Sequence, residues 1–248
     1  MISKAKLKYI HSLGLKKNRK AEGVFVAEGP KLVEDLIKFF DPVYVAATSE
    51  WIKFNPSVEA DEITEEELKK ASFQEHPQQV IAVFRQPSDS VDAVDAITNN
   101  LCLALDDVQN PGNLGTIVRL ADWFGIEHVF CSVGCADIYN PKTVQSTMGA
   151  MGRVKVHYCN IEELIKSLPE SVPVYGTFLD GDNMYEMQLS DNGLIVMGNE
   201  GNGVSEAVGK LVTNRLFIPN YPKGRATSES LNVAIATAVI CAEFRRGR

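Results

Sequence analysis

LCLALDDVQNPGNLGTIVR, residues 101–119, decides the reading of the chain. LCLAL (101–105) is a short apolar run of strand length, NPGN (110–113) carries turn formers, and the residues after it fall at helical spacing. Working outward, apolar runs recur at VFCSV (129–133), VYGTFL (174–179), LIVMG (194–198) and LFIP (216–219), with segments at helical spacing between them. Alternation of this kind predicts an α/β fold: a parallel sheet covered by helices, with ligands where loops leave the carboxyl ends of strands. SESLNVAIATAVICAEFRR (228–246) reads as a long apolar closing helix whose basic end suits its dipole.

The first 90 residues form a separate small α/β unit, with strands at FVAEG (25–29), PVYVAAT (42–48) and QVIAVFRQ (79–86) and a helix at PKLVEDLIKFF (30–40). The polar stretch QPSDSVDAVDAITNN (86–100) contains the linker, which places one domain at 1–90 and a second at 98–248.

At 248 residues and 45% hydrophobic content the chain can bury one large core or two small ones. No apolar run approaches the roughly 20 residues that span a bilayer, and MISKAKLKYIHSLGLKKNRK lacks the apolar stretch of a secretion signal. No membrane partner is expected, and the cytoplasm is the expected compartment. Five cysteines are an odd number for a disulfide framework, and the close pair Cys131 and Cys135 has no second pair at zinc-finger spacing, so no metal is expected. The formal charge of -7 argues against nucleic acid only until its arrangement is considered. Lys4, Lys6, Lys8, Lys16, Lys17, Arg19 and Lys20 open the chain without one acid, whereas EADEITEEE (59–67) is strongly acidic. The basic start suits either a solvated helix face or contact with phosphates.

Three segments carry candidate chemistry. In NPGNLGTIVR (110–119), Pro111 and Gly112 make a turn, Asn113 can cap the helix, and Arg119 follows about two turns later; a capped helix with a surface arginine would read the same. GNEGNG (198–203) separates a strand from a helix, but its spacing is not GxGxxG, and no GxxxxGK[ST] occurs. A dinucleotide fold and a P-loop ATPase thereby lose their main support. Glu200, between glycines at a strand mouth, is awkward for packing and favours a polar role. In IPNYPKGRATSESLNVAIA (218–236), Ser230 and Asn232 are polar residues at an apolar helix start, and Ser230 alone suits a first-turn cap equally well.

Together the three segments resemble the motifs of the SpoU (TrmH) family of RNA 2'-O-ribose methyltransferases, in the SPOUT class, in order and at the expected strand ends. FVAEGPKLVEDLI (25–37) is similar to the small substrate-binding domain that many members carry ahead of the catalytic one. The resemblance implies a carboxyl-terminal α/β knot, a parallel sheet with a trefoil knot, preceded by a small L30e-like α/β domain. It implies S-adenosylmethionine bound against Thr177, Phe178, Gly198, Asn199, Gly203, Ile218 and Leu231. Arg119 is implied as the central catalytic residue, with Asn113 and Glu200 orienting it and Ser230 and Asn232 shaping the ribose site. A homodimer is also implied, acting on ribosomal RNA in preference to transfer RNA. A transfer-RNA enzyme of the same chemistry and an RNA-binding protein that has lost catalysis are the alternatives. The loop around YPKGRAT (221–227) is longer than the family's, and the surplus is basic through Lys223 and Arg225.

Overall fold

The computed structural model describes residues 2–88, 90–222 and 230–247. The chain forms two compact units, Met1–Asp89 with Asp137–Arg153, and Ser90–Ala136 with Val154–Arg248. The first unit is therefore discontinuous. The division expected from sequence stopped it at 90 and left 137–153 in the second domain; a linker rich in turn formers is visible in a sequence, whereas a mid-chain excursion has no compositional mark.

In the first unit the helices α1 (Lys4–Ser12) and α2 (Lys16–Glu22) precede strand β1 (Val24–Glu28), followed by α3 (Pro30–Leu36), β2 (Pro42–Ala47), α4 (Ser49–Phe54), β3 (Asp61–Glu62), α5 (Glu65–Ala71) and β4 (Val80–Arg85). The sheet runs β1-β4-β2-β3, with β4 antiparallel to both neighbours and β2 parallel to β3. Strand alternation sends Val24, Val26, Ile81 and Val83 into a core with Ile10, Leu13 and Leu68. Phe25 and Phe84 point the other way and stack at 5.5 Å. The acidic run is put to local use: Thr64 and Glu67 form a reciprocal capping box at the start of α5.

Arg19 departs from the phosphate-contact reading of the basic start. Its side chain is 2% exposed and ion-paired to Asp137 at 2.5 Å, while Nη1 donates to the carbonyls of Leu13 and Gly14 at 2.7 and 2.8 Å. Arg19 holds the 137–153 segment inside the first unit. Lys4, Lys8, Lys16, Lys17 and Lys20 are exposed, and the ammonium of Lys6 sits 4.1 Å over the Tyr44 ring.

The second unit contains α6 (Ala93–Asn99), β5 (Leu101–Leu105), α7 (Pro111–Trp123), β6 (His128–Cys131), then, after α8 (Pro141–Thr147) of the first unit, β7 (Lys155–Tyr158), α9 (Ile161–Ser167), β8 (Val174–Asn183), β9 (Gly193–Met197), α10 (Glu206–Gly209), β10 (Asn214–Phe217) and α11 (Val233–Phe244). Six parallel strands lie in the order β10-β8-β9-β5-β6-β7. The central strands β5 and β9 are buried throughout, as their unbroken apolar runs require in a sheet covered on both faces. Five strands stand where the apolar runs put them. The sixth, β7, was not anticipated, because KVHY is a half-exposed edge strand with no apolar run.

The closing helix begins later than its sequence suggests, at Val233 with Asn232 as its cap. Arg245, beyond its end, donates to the carbonyls of Phe124 and Gly125, which fixes α11 alongside α7. Among the described residues all five cysteines are free thiols, and burial pushes Cys102 and Cys241 up to about 12. No helix among the described residues is long and apolar enough to cross a membrane, and no group of three or more His, Cys, Asp or Glu among them could hold a metal.

Candidate functional site

The parallel order β10-β8-β9-β5 places the carboxyl ends of four strands side by side, and the loops that leave β5, β9 and β10 carry the three motifs. Side-chain amides tie these loops together. Asn113 Nδ2 donates to Glu200 Oε1 at 2.8 Å, and Asn232 Nδ2 donates to Asn113 Oδ1 at 3.1 Å. The main-chain N–H of Asn110 also faces Glu200 Oε1, at 3.4 Å. One residue from each motif thus meets in a single cluster.

Each member is positioned by the local rules of helix starts. Asn110, not Asn113, caps α7: its Oδ1 accepts from the N–H groups of Gly112 and Asn113 at 2.8 and 3.2 Å, with Pro111 at the first helical position. Asn113 lies one turn inside the helix, and this releases its side chain for Glu200 and Asn232. Asn232 does two jobs at the start of α11. Its Oδ1 accepts from Ala234 and Ile235 at 3.0 and 3.3 Å while its Nδ2 reaches Asn113. Ser230 lies outside the helix and is exposed, so the capping role considered for it belongs to Asn232.

The loop after β9 is held in shape by its own hydrogen bonds. Asn199 and Gly203 exchange main-chain hydrogen bonds, both at 2.9 Å, and Asn199 Oδ1 accepts from Gly201 and Asn202 at 2.9 and 3.0 Å. Asn199 Nδ2 donates to the carbonyl of Asp107 at 2.8 Å, so its side chain is committed to shaping the loop. A Cβ on Gly198 would stand 2.1 Å from the carbonyl carbon of Gly203 and 2.2 Å from the nitrogen of Val204, which only glycine permits. A Cβ on Gly203, at φ +69°, would meet nothing within 4 Å; the loop presents open space there.

Asp106 and Asp107, which the motifs do not include, also shape the site. Asp106 is 8% exposed and its Oδ2 accepts from the Ser205 N–H at 2.8 Å, tying the end of β5 to the start of α10. Asp107 adopts φ +62°, and its N–H donates to Ser132 Oγ at 3.0 Å. Paired acids directly after a buried strand were the available signal, as was Asn before Pro for the cap at Asn110.

Arg119 is exposed on α7, and none of the described hydrogen bonds or ion pairs joins it to Asn113 or Glu200. Asn113 and Glu200 are instead bonded to each other. Phe178 is half-buried, with the guanidinium of Arg215 3.5 Å from its ring centre; Arg215 is itself paired with Asp180 at 2.5 Å. Thr177 and Ile218 are half-buried and Leu231 is exposed. Of the long loop, Lys223 and Arg225 lie outside the described residues, as does part of the connection from Phe217 to Val233 on which the implied knot bears.

Residues 100–242 match the SpoU rRNA Methylase family, and residues 4–82 match the MRM3-like substrate binding domain. The chain is 33% identical over 246 residues to the 23S rRNA (guanosine(2553)-2'-O)-methyltransferase RlmP of Bacillus subtilis, covering 97% of this chain and 96% of that one. Among solved structures, a TrmH-family protein of Porphyromonas gingivalis is similar at 39% identity and TM-score 0.88, over 99% of both chains. An AdoMet-bound rRNA methyltransferase from Sinorhizobium meliloti is similar at 27% identity and TM-score 0.87, over 99% of this chain and 97% of that one. With the three motifs joined at neighbouring strand ends and the family match spanning most of the second unit, the chain belongs to the SpoU rRNA methylase family.

Proposed function

We propose that the protein transfers the methyl group of S-adenosylmethionine to a ribose 2'-hydroxyl of ribosomal RNA, in the cytoplasm. The observation that carries this reading is the Asn113–Glu200–Asn232 cluster, in which one polar residue from each motif meets the others. Ribosomal rather than transfer RNA is favoured by the match of residues 4–82 to a substrate-binding domain and by the likeness to a 23S rRNA enzyme over nearly the whole chain. In this reading residues 1–90 bind RNA and 98–248 carry the methyltransferase.

The residues fit the cofactor. Open space in front of Gly203 and the rigid turn behind Gly198 offer main-chain groups to a ligand without a side chain in the way. Thr177, Phe178, Ile218 and Leu231 supply mostly apolar walls, and Asn199 holds the loop in shape. When bound, the cofactor supplies an electrophilic methyl on a sulfonium, which needs neither a metal nor a covalent enzyme intermediate. The protein's work is to orient the hydroxyl and remove its proton. Orientation of two reactants in line is worth about 7–11 kcal/mol, enough for a site with few acid or base groups. Arg119 acts as a cation that grips a phosphate and stabilises the developing alkoxide; a guanidinium pKa above about 12 leaves too little neutral form for a base. Glu200 Oε1 is held by Asn113, and the second carboxylate oxygen is available to accept the proton. Ser230 and Asn232 border the ribose.

A homodimer is supported by the exposed apolar surface of α7 and α11, where Trp123 is 83% and Ile235 55% exposed; sedimentation should show it. The decisive experiment is methyl transfer from tritiated S-adenosylmethionine to total RNA from cells lacking the protein, with 2'-O-methyl mapping. Label in ribosomal RNA, lost in Arg119→Ala while cofactor binding persists, is the expected result. Label in transfer RNA alone, or full transfer by Arg119→Ala, would overturn the target or the residue assignment respectively.

A further inference from the structure

The first unit contains a cavity of about 440 Å³ with Glu28, Phe73, Gln74, Lys142 and Gln145 in its wall. We propose that it receives one unstacked guanine of the RNA substrate, an inference that rests on the reading of the protein as an RNA enzyme.

The volume lies in the range of roughly 300–1,000 Å³ typical of small-ligand sites, enough for a base with its ribose. Glu28 is 4% exposed, and this carboxylate in the wall is the unusual feature. Its Oε1 accepts from the Phe73 N–H at 2.9 Å, and Oε2 accepts a short hydrogen bond from the Ser72 hydroxyl. An ionised carboxylate has about four acceptor sites, so each oxygen keeps capacity for one more donor. Burial of a carboxyl with acceptors to spare is costly unless a ligand uses them; burial also pushes the Glu28 carboxyl up from its ordinary range. Guanine offers two adjacent donors, N1–H and the N2 amino group, spaced for one carboxylate. Adenine and cytosine place an acceptor beside their amino group, and uracil sets its single N–H between two carbonyls.

The remaining wall suits the same ligand. Phe73 is 38% exposed and offers a ring face, and splayed-out bases in RNA recognition stack on such rings. Gln74 Nε2 donates to Gln145 Oε1 at 3.0 Å, which fixes both amides and leaves the acceptor of one and the donors of the other for a base edge. Lys142 is exposed and has no ion-pair partner among the described residues, as a phosphate contact beside a bound nucleoside requires. An aromatic ring, a buried anion, two amides and one cation together match a nucleotide better than a peptide or a lipid.

The test titrates the full-length protein with GMP, AMP, CMP and UMP, following the main-chain amides of Phe73, Gln74 and Gln145 by NMR. GMP should shift these amides and bind at least about tenfold tighter than the other three. Phe73→Ala, at an exposed position, should weaken GMP at least about fivefold and raise KM for RNA with kcat unchanged; Glu28→Gln should erase the preference among bases. Equal binding of all four nucleotides, no shifts at these amides, or an unchanged KM in Phe73→Ala would overturn the proposal, whether or not Glu28→Gln folds. Methyl transfer measured on the same wild-type preparation separates the two readings. Transfer to RNA without guanine selectivity overturns the cavity alone, whereas guanine binding without transfer to any RNA supports the cavity and overturns the assigned reaction.

Discussion

Asp137→Ala should strongly destabilise the first unit. Among the described residues Asp137 is the only counter-charge paired with Arg19, whose side chain is 2% exposed and whose Nη1 is held by the carbonyls of Leu13 and Gly14. Those carbonyls keep the guanidinium in place after the carboxylate is gone, so the charge stays buried without compensation. Removal of one partner from a buried pair costs about 3–5 kcal/mol. Arg19→Met in the same background removes the charge and leaves two carbonyls short of a donor, of which Gly14, half-exposed, can take water. The double variant should therefore recover about 1–2 kcal/mol relative to Asp137→Ala, within the range of coupling between contacting residues. Urea unfolding read by tryptophan fluorescence suits the question, because Trp51 in the first unit is 1% exposed and Trp123 in the second is 83% exposed. The signal change thus reports the first unit. With a slope of about 2 kcal/mol per molar urea, Asp137→Ala should lower the midpoint by roughly 2 M. A fall below roughly 0.5 M, or a double variant less stable than Asp137→Ala, would refute the reasoning.

Glu200→Gln keeps an oxygen for Asn113 but removes the charge, and charge-assisted bonds are roughly twice as strong as neutral ones; single-turnover transfer should fall at least about tenfold with cofactor affinity unchanged, and the reverse pattern would move Glu200 into the binding set. Gly198→Ala would drive a methyl group into main chain at 2.1 Å, so calorimetry should register loss of cofactor binding and about 1–3 kcal/mol of stability. His157 is held down to about 4 by burial, the neighbouring His128 and Lys155. Its neutral form is favoured in the folded state, so the stability it contributes is complete above the ordinary value of 6.5 and is lost as pH falls toward 4. After discounting for its half-exposed ring, that loss is about 1–2 kcal/mol, and His157→Gln should flatten the acid side of a stability profile between those values.

The catalytic half was legible because its strands are buried on both faces and its motifs sit at their ends, so apolar runs and turn residues coincide with structure. Cap positions were misjudged by a few residues. Asn113 and Ser230 read as caps from their types alone, yet Asn110 and Asn232 have the correct distance to the free N–H groups. The cluster at Glu200 was anticipated in membership but not in wiring, since helix phase decides that Asn113 faces Glu200 and Asn232. Arg19 was hidden among six lysines, and nothing local distinguishes a buried arginine when its partner lies 118 positions away. The 440 Å³ cavity was invisible for the same reason, because its wall joins residues 28, 73 and 145.

The return of residues 137–153 to the first unit limits how this architecture can be recombined. A chimera that takes a relative's leading 89 residues and keeps this chain's remainder inherits a foreign partner for Asp137 and for α8, which lies against β1. Exchange of the first unit between relatives would have to move both segments at once, so the two stretches of this protein are expected to diverge in step and not as independent modules.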